Sequence, residues 1–301
     1  MLPTAALPQN CCAPSIPQQG IVGEMSALPK TIDFGLHYEY LRSEGMYRGS
    51  NEIDDPGNTK TVWNRATMTL GYGIIPGLSV SAILPYVWKE KTRHISDLAF
   101  DLENTSEGIG DLTFVIRYSP IKRSFVSFRE LTFGAGVKAP TGSVEKRNFG
   151  FLLPEELQPG TGSWDYHVSA SLFQGFEMVD LVGSGTFVIT TPHNGYEFGD
   201  QFSYLLASNF HIKPWLDGSL ALSGTVRGKD KSGGMDVTDT GRSQLWLVPG
   251  LKFQLLPGYV SLQAYYEAPI YQHFKCTQLA SDYNLRLSTV CTIPLSGNDE
   301  E

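Results

Sequence analysis

Between Ser243 and Gln272 apolar side chains fall at every second position. The first arm carries Leu245, Leu247, Pro249, Leu251, Phe253 and Leu255; after Pro257-Gly258 the second carries Val260, Leu262, Ala264, Tyr266, Ala268 and Ile270. Between them stand Gln244, Trp246, Val248, Gly250, Lys252 and Gln254, then Ser261, Gln263, Tyr265, Glu267 and Tyr271. A strand sends successive side chains to opposite faces, so the spacing predicts two strands, each with one apolar and one wetter face, joined by a tight turn. Both arms exceed the roughly five or six residues common in soluble strands and satisfy the about 9–11 that a tilted membrane-crossing strand needs.

The same period recurs along the chain. It predicts strands over 31–42, 61–74, 78–91, 108–118, 128–139, 164–176, 181–191, 201–212, 218–227, the two arms above, and 282–295. In the first, Phe34, Leu36 and Tyr38 alternate with Asp33, Gly35, His37 and Glu39; in the sixth, Tyr166, Val168 and Ala170 alternate with Asp165, His167 and Ser169. Long connections (43–60, 92–107, 140–163, 192–200, 228–242, 273–281) alternate with shorter ones (75–77, 119–127, 177–180, 213–217, 257–259). That parity puts every turn on one side and every loop on the other, with both ends of the chain on the turn side. The fold expected is all-β: a closed antiparallel up-and-down transmembrane β-barrel of about 12 strands. A soluble β-sandwich is the alternative, and it gives no reason for the parity. Pro249 lies mid-strand without an N–H to donate, so a closed barrel needs a bulge or local break there.

Composition narrows the picture. The chain has 301 residues, 41% of them apolar, with only 18% charged, 31 glycines and 14 tyrosines. No apolar run reaches the ~18 residues of a helical span, and barrel strands escape such scans because half their residues face away from lipid. A formal charge of −8 leaves no basic footprint, so no nucleic-acid partner is expected; the expected partners are outer-membrane lipid and a small solute. Acids such as Glu52, Asp54, Asp97, Asp101, Glu103 and Glu107 gather between strands and read as solvated loops. Tyr72, Tyr86 and Trp88 fall near strand ends, where interfacial rings sit. Residues 1–30 read as an extended leader, hanging in the periplasm or folded up as a lumen plug; 31–295 form the barrel and 296–301 an acidic tail. Cys11, Cys12, Cys276 and Cys291 show no metal-ligand spacing, and unpaired cysteines are expected unless the leader threads the lumen to reach Cys276.

Candidate chemistry lies on the wetter face. Asp111, Lys138 and Asp165 belong to consecutive strands and point inward near the outer rim, with Arg65 and Arg117 as neighbouring lumen cations. His167, Lys252 and Glu267 share the same face. Two readings stand: a charge ladder that holds the wall and the 140–163 loop, or a lining for solute entry. His167 and Ser169 are of the types used as base and nucleophile, but Tyr166, Val168 and Ala170 take the lipid side, so the pair reads as lumen polarity. No catalysis, metal or cofactor is expected.

Three motifs occur in order: Gly108-Ile-Gly-Asp111 leading into Phe114-Val-Ile-Arg117-Tyr118, then Lys138-Ala-Pro-Thr-Gly142, then Gly160-Thr-Gly-Ser-Trp-Asp165. Together they resemble the outer-membrane channel family labelled "MetA-pathway of phenol degradation". The resemblance implies a barrel in the outer membrane of a Gram-negative bacterium that passes small hydrophobic or aromatic molecules by diffusion. The lumen would be narrowed by side chains, by the 140–163 loop and by the leader. A barrel that transports nothing and serves as anchor or partner-binding scaffold is the second expectation, and a soluble binding protein the third.

Overall fold

The computed structural model describes residues 27–95, 100–122 and 128–295. Most of the proposed leader, with Cys11 and Cys12, lies outside the described residues, as do Asp97 and the acidic tail. In chain order the strands are β1 (Thr31–Gly49), β2 (Asn51–Ile53), β3 (Lys60–Ile75), β4 (Leu78–Ile95), β5 (Phe100–Ile109), β6 (Leu112–Ile121), β7 (Arg129–Ala139), β8 (Arg147–Asn148) and β9 (Phe151–Leu152). They continue with β10 (Asp165–Gly175), β11 (Val179–Ile189), β12 (Tyr196–Glu197), β13 (Gln201–Lys213), β14 (Leu216–Arg227), β15 (Lys231–Ser232), β16 (Met235–Asp236), β17 (Arg242–Leu256) and β18 (Val260–Pro294).

Eleven of these close a ring, β1-β3-β4-β6-β7-β10-β11-β13-β14-β17-β18 and back to β1. Every pairing is antiparallel. An odd ring of antiparallel strands cannot close unless one element reverses, and β18 does so. Its first part pairs with β17 (Leu256↔Val260 through Arg242↔Phe274) and its second with β1 (Gly49↔Phe274 through Thr31↔Pro294). The 35-residue element is therefore two staves folded back near Phe274–Thr277, and the wall has the expected even count. Lys30 accepts a hydrogen bond from the Leu295 amide at 2.8 Å, so the two ends of the barrel meet on the turn side.

The alternation maps onto two surfaces as the sequence implies. Phe34, Leu36, Met68, Leu70, Phe114, Ile116, Val168, Leu172, Leu206, Leu285 and Leu287 all stand exposed on the outside. Six strands thus present side chains that water would not hold, and hydrocarbon does. Aromatic rings mark the borders of this belt: Tyr86 and Trp88 pack at 4.6 Å between centroids toward the loop end, and Trp215 and Phe253 stack at 6.3 Å at the turn end. Gly77 and Gly258 make the tight turns with φ of +84° and +79°, a region that only glycine enters without strain.

The structure corrects some boundaries. The stretch read as a loop over 92–107 is a polar hairpin, in which β4 continues against β5 with Thr92↔Glu103 and His94↔Asp101. Asp101, Glu103 and Glu107 are thus strand residues. Apart from Phe100, Leu102 and Ile109 the strand is polar or glycine, because above the belt neither face meets hydrocarbon and the period loses its driving force. Residues 273–281 likewise belong to β18. Where β5 gives way to β6, Ile83↔Thr113 and Tyr86↔Ile109 leave one extra residue opposite β4. This bulge sits at Gly110, whose amide donates to the Pro85 carbonyl at 2.8 Å, the bend that the Gly108–Asp111 motif implies. At Pro249 the ladder to β18 has a gap, with no pair between Leu247↔Ala268 and Gly250↔Tyr265 and no change of register, while the ladder to β14 runs on through Leu220↔Pro249. The required local break is present. Cys276 and Cys291 are free among the described residues.

A charge placed on the outer belt tests the lipid assignment. Leu206→Arg, mid-way along β13, is expected to lower barrel stability by about 2–4 kcal/mol in urea titrations from lipid vesicles. An unchanged midpoint would mean that this face does not meet hydrocarbon.

Candidate functional site

Two polar clusters and one apolar surface occupy the inside of the barrel. The first lies at the loop end of β6, β7 and β10. The ladders set Lys138 opposite both Thr113 and Asp165, and the bulge at Gly110 turns Asp111 toward it. Lys138 Nζ forms an ion pair with Asp165 and lies 3.4 Å from Asp111 Oδ2. All three side chains are buried.

These charges hold the neck of the 140–163 loop. Asp111 accepts the Gly142 amide at 2.9 Å, the Thr161 amide at 2.8 Å and the Thr161 hydroxyl at 2.8 Å. Asp165 accepts the Ser163 hydroxyl at 2.9 Å and the Thr191 amide at 3.3 Å. A Cβ on Gly142 would come within 2.6 Å of the Gly160 Cα, so the loop's two ends cross with no room for a side chain. This is the physical content of the Pro-Thr-Gly and Gly-Thr-Gly motifs. The body of the loop then folds onto the inner side of β4. Lys89, inward because Trp88 faces out, donates to the Glu156 carbonyl at 2.9 Å and the Gln158 carbonyl at 2.7 Å. Lys91 reaches Glu156 Oε1 at 2.9 Å, and Leu153 and Leu157 are buried beneath.

The second cluster crosses the seam between the first and last staves. Glu39 stands opposite Arg65 on β3 and opposite Arg286 on β18. Arg65 pairs with Glu39, and Arg286 pairs with Glu267. Asn284 links the two pairs, donating to Glu39 at 2.7 Å and to Glu267 at 2.9 Å. Such a network is stable in a low-dielectric interior only because each charge has a partner. Arg65, expected as a lumen cation, is spent on Glu39 in this network. Arg117 donates to the Ser81 hydroxyl at 2.6 Å on the wall below that cluster. Lys252 lies near the turn end, opposite Asp217. His167 faces inward opposite Gly136.

The apolar surface was not legible as such. Phe173, Val182, Leu205, Ala207, Ala221, Trp246, Val248 and Tyr265 form one buried cluster on the inner faces of β10, β11, β13, β14, β17 and β18. Following the ladders, Phe173, Val182, Ala207, Ala221 and Val248 are successive cross-strand partners. One row of the wall is therefore apolar along five strands and charged across the seam. Sequence reasoning also missed Glu39, Asn284, Arg286 and Lys89; for Arg286 the signal was there, since it alternates with the outward Leu285 and Leu287. A further knot, Arg227–Asp230 at 2.6 Å with Asp230 also accepting Tyr196 Oη and the Gly199 amide, ties the loops around β12, β15 and β16. Among the described residues no cluster of His, Cys, Asp and Glu could hold a metal ion.

No family model matches the chain, and no curated protein is similar to it. Among solved structures it resembles an outer-membrane channel of the COG4313 group from Pseudomonas putida F1, with a TM-score of 0.69 over 90% of this chain and 98% of that one, at 15% identity. It is also similar, at a TM-score of 0.47 and 9% identity over 90% of this chain and 91% of that one, to the translocator domain of autotransporter NalP from Neisseria meningitidis. At 15% identity the likeness to the Pseudomonas putida channel is one of fold: a closed β-barrel.

The rim cluster makes a measurable claim. Asp165→Ala leaves Lys138 with a buried, half-compensated charge, and removal of one partner of such a pair costs about 3–5 kcal/mol. The variant should unfold at lower urea, and trypsin should cut after Lys146 or Arg147 faster than in the parent chain. A variant with parental stability and parental cleavage would show that the cluster does not hold the loop.

Proposed function

We propose that this chain is a passive channel of the Gram-negative outer membrane for small hydrophobic or aromatic solutes. The observation that carries the reading is the inward apolar cluster from Phe173 to Tyr265. A pore for ions gains nothing from such a row, whereas an uncharged ring that enters among these packed side chains leaves water at about 25 cal/mol per Å² of apolar area. The Pseudomonas putida barrel that shares this fold is described as an outer-membrane channel, and the three rim motifs resemble the phenol-degradation channel family; both support the same assignment. The 140–163 loop, strapped to Lys89 and Asp111, narrows the mouth, and the neutral seam network of Arg65, Glu39, Arg286 and Glu267 keeps the lumen from favouring either sign of ion. Lys138, Asp165, Arg117 and Lys252 act mainly on the wall and loop.

The test is uptake in porin-deficient Gram-negative cells, whose lipopolysaccharide leaflet slows entry of hydrophobic solutes. Expression of the parent chain should accelerate accumulation of naphthalene severalfold. Trp246→Asp, which puts a charge into the apolar row, should abolish the gain while leaving the folded barrel in the membrane fraction. A parent chain that changes neither naphthalene uptake nor bilayer conductance would favour the scaffold reading.

A further inference from the structure

On the inner wall below the rim cluster, β7 carries glycine at two consecutive inward positions. Gly134 and Gly136 face in because Phe133 stands exposed on the outside. Arg117 and Val115 flank them on β6, and Ser169 and His167 flank them on β10. The glycines are tightly framed: a Cβ on Gly134 would lie 2.4 Å from Ser169 Oγ, and one on Gly136 3.0 Å from Val115 Cγ2 and 3.6 Å from His167 Cβ. Glycine in a strand interior weakens it, and here it leaves a flat floor of backbone between four side chains.

His167 closes one side of this niche. It is more than nine-tenths buried, and neither Nδ1 nor Nε2 has a hydrogen-bond partner among the described residues. A buried imidazole normally satisfies at least one nitrogen. Its neighbours on the same face do not compete for it: Asp165 is taken by Lys138 and Ser163, and Gly136 opposite offers no side chain. Farther down β10 the inner face passes through Ser169 and Ser171 to Phe173, the first member of the apolar row.

We propose that His167 and the Gly134–Gly136 floor form a binding station for a small ring-bearing alcohol. The ring lies on the glycine floor against Val115, and the hydroxyl exchanges a hydrogen bond with an imidazole nitrogen. The hydroxyl suits the site because it can donate to one tautomer and accept from the other. This deepens the channel reading and rests on it for the station's role: solute held beneath the loop is passed to Phe173 and the apolar wall.

The probes are benzyl alcohol and toluene, which differ by the hydroxymethyl group. In the full-length protein labelled with 15N-histidine and reconstituted in lipid, the His167 ring resonances, assigned by their loss in His167→Leu, should move with benzyl alcohol and stay in place with toluene. In vesicles, His167→Leu should lower the benzyl alcohol to toluene flux ratio by roughly two- to tenfold, the weight of one hydrogen bond, and His167→Gln, which keeps a donor and an acceptor, should restore it. Ring resonances that ignore both solutes, or answer both alike, overturn the station, since the imidazole would then be serving bound water alone. A flux ratio unchanged in His167→Leu overturns it as well. If the parent barrel passes neither solute while its ring answers benzyl alcohol, the channel reading falls and the station stands as a binding site. Should His167→Leu fail to fold, the response of the parent protein to the two solutes decides.

Discussion

Hydrocarbon offers no partner to a backbone N–H or C=O, so a sheet that crosses a bilayer must satisfy every one of them within itself. The architecture follows from that constraint. An open sheet would present two raw edges to lipid; here the last element folds back and lends one half to β17 and the other to β1. The seam so formed is the one place where ladder partners are far apart in sequence, and it is where the interior carries its densest charge. Glu39, Arg65, Glu267 and Arg286 are distributed over four neighbouring staves, with Asn284 between the pairs. Buried ion pairs seldom add much stability over apolar packing, but they penalise misregistered partners heavily. At a seam, registry is what is needed.

With the wall fixed, the inside divides into regions of different character. The rim is hydrogen-bonded and charged, and its groups are spent on the neck of one loop. The seam is charged but internally balanced. The arc from β10 to the first half of β18 is apolar. From the loop end downward the lumen presents polar side chains first and apolar ones afterwards, with Gly134, Gly136 and His167 at the transition. The division is a property of side chains alone, since the backbone that carries it is one continuous antiparallel sheet.

Much of this was legible in the chain. Where one face meets lipid and the other polar groups, period-two alternation is enforced, and β3, β7, β10, β13 and β14 begin and end within two residues of the expected positions, while β1 runs seven residues past its expected end. Asp111, Lys138 and Asp165 were brought together correctly because consecutive antiparallel strands place them at one level. What alternation could not reveal lies where its cause is missing. Above the belt the β4–β5 hairpin meets water on one face and the polar 140–163 loop on the other, so no sustained apolar alternation marks it. In the lower lumen both faces are apolar, so Trp246 and Val248 read as a lapse in the polar set when they are part of an inner surface. That Glu267, Asn284 and Arg286 join Glu39 and Arg65 in one network was not legible, because sequence order does not say how the ends of the sheet meet.

The pairing of Thr31 with Pro294, and of Lys30 with Leu295, bears on how the molecule comes into being. Contacts between residues at opposite ends of the chain are the slowest to form, because the whole intervening length must be gathered first. Chains short of the final hairpin would leave the first strand paired with β3 on one side only, its other edge an adhesive border prone to aggregation and proteolysis. Completion of the cylinder is thus a single late event, and an interrupted synthesis yields material for degradation instead of a smaller working barrel.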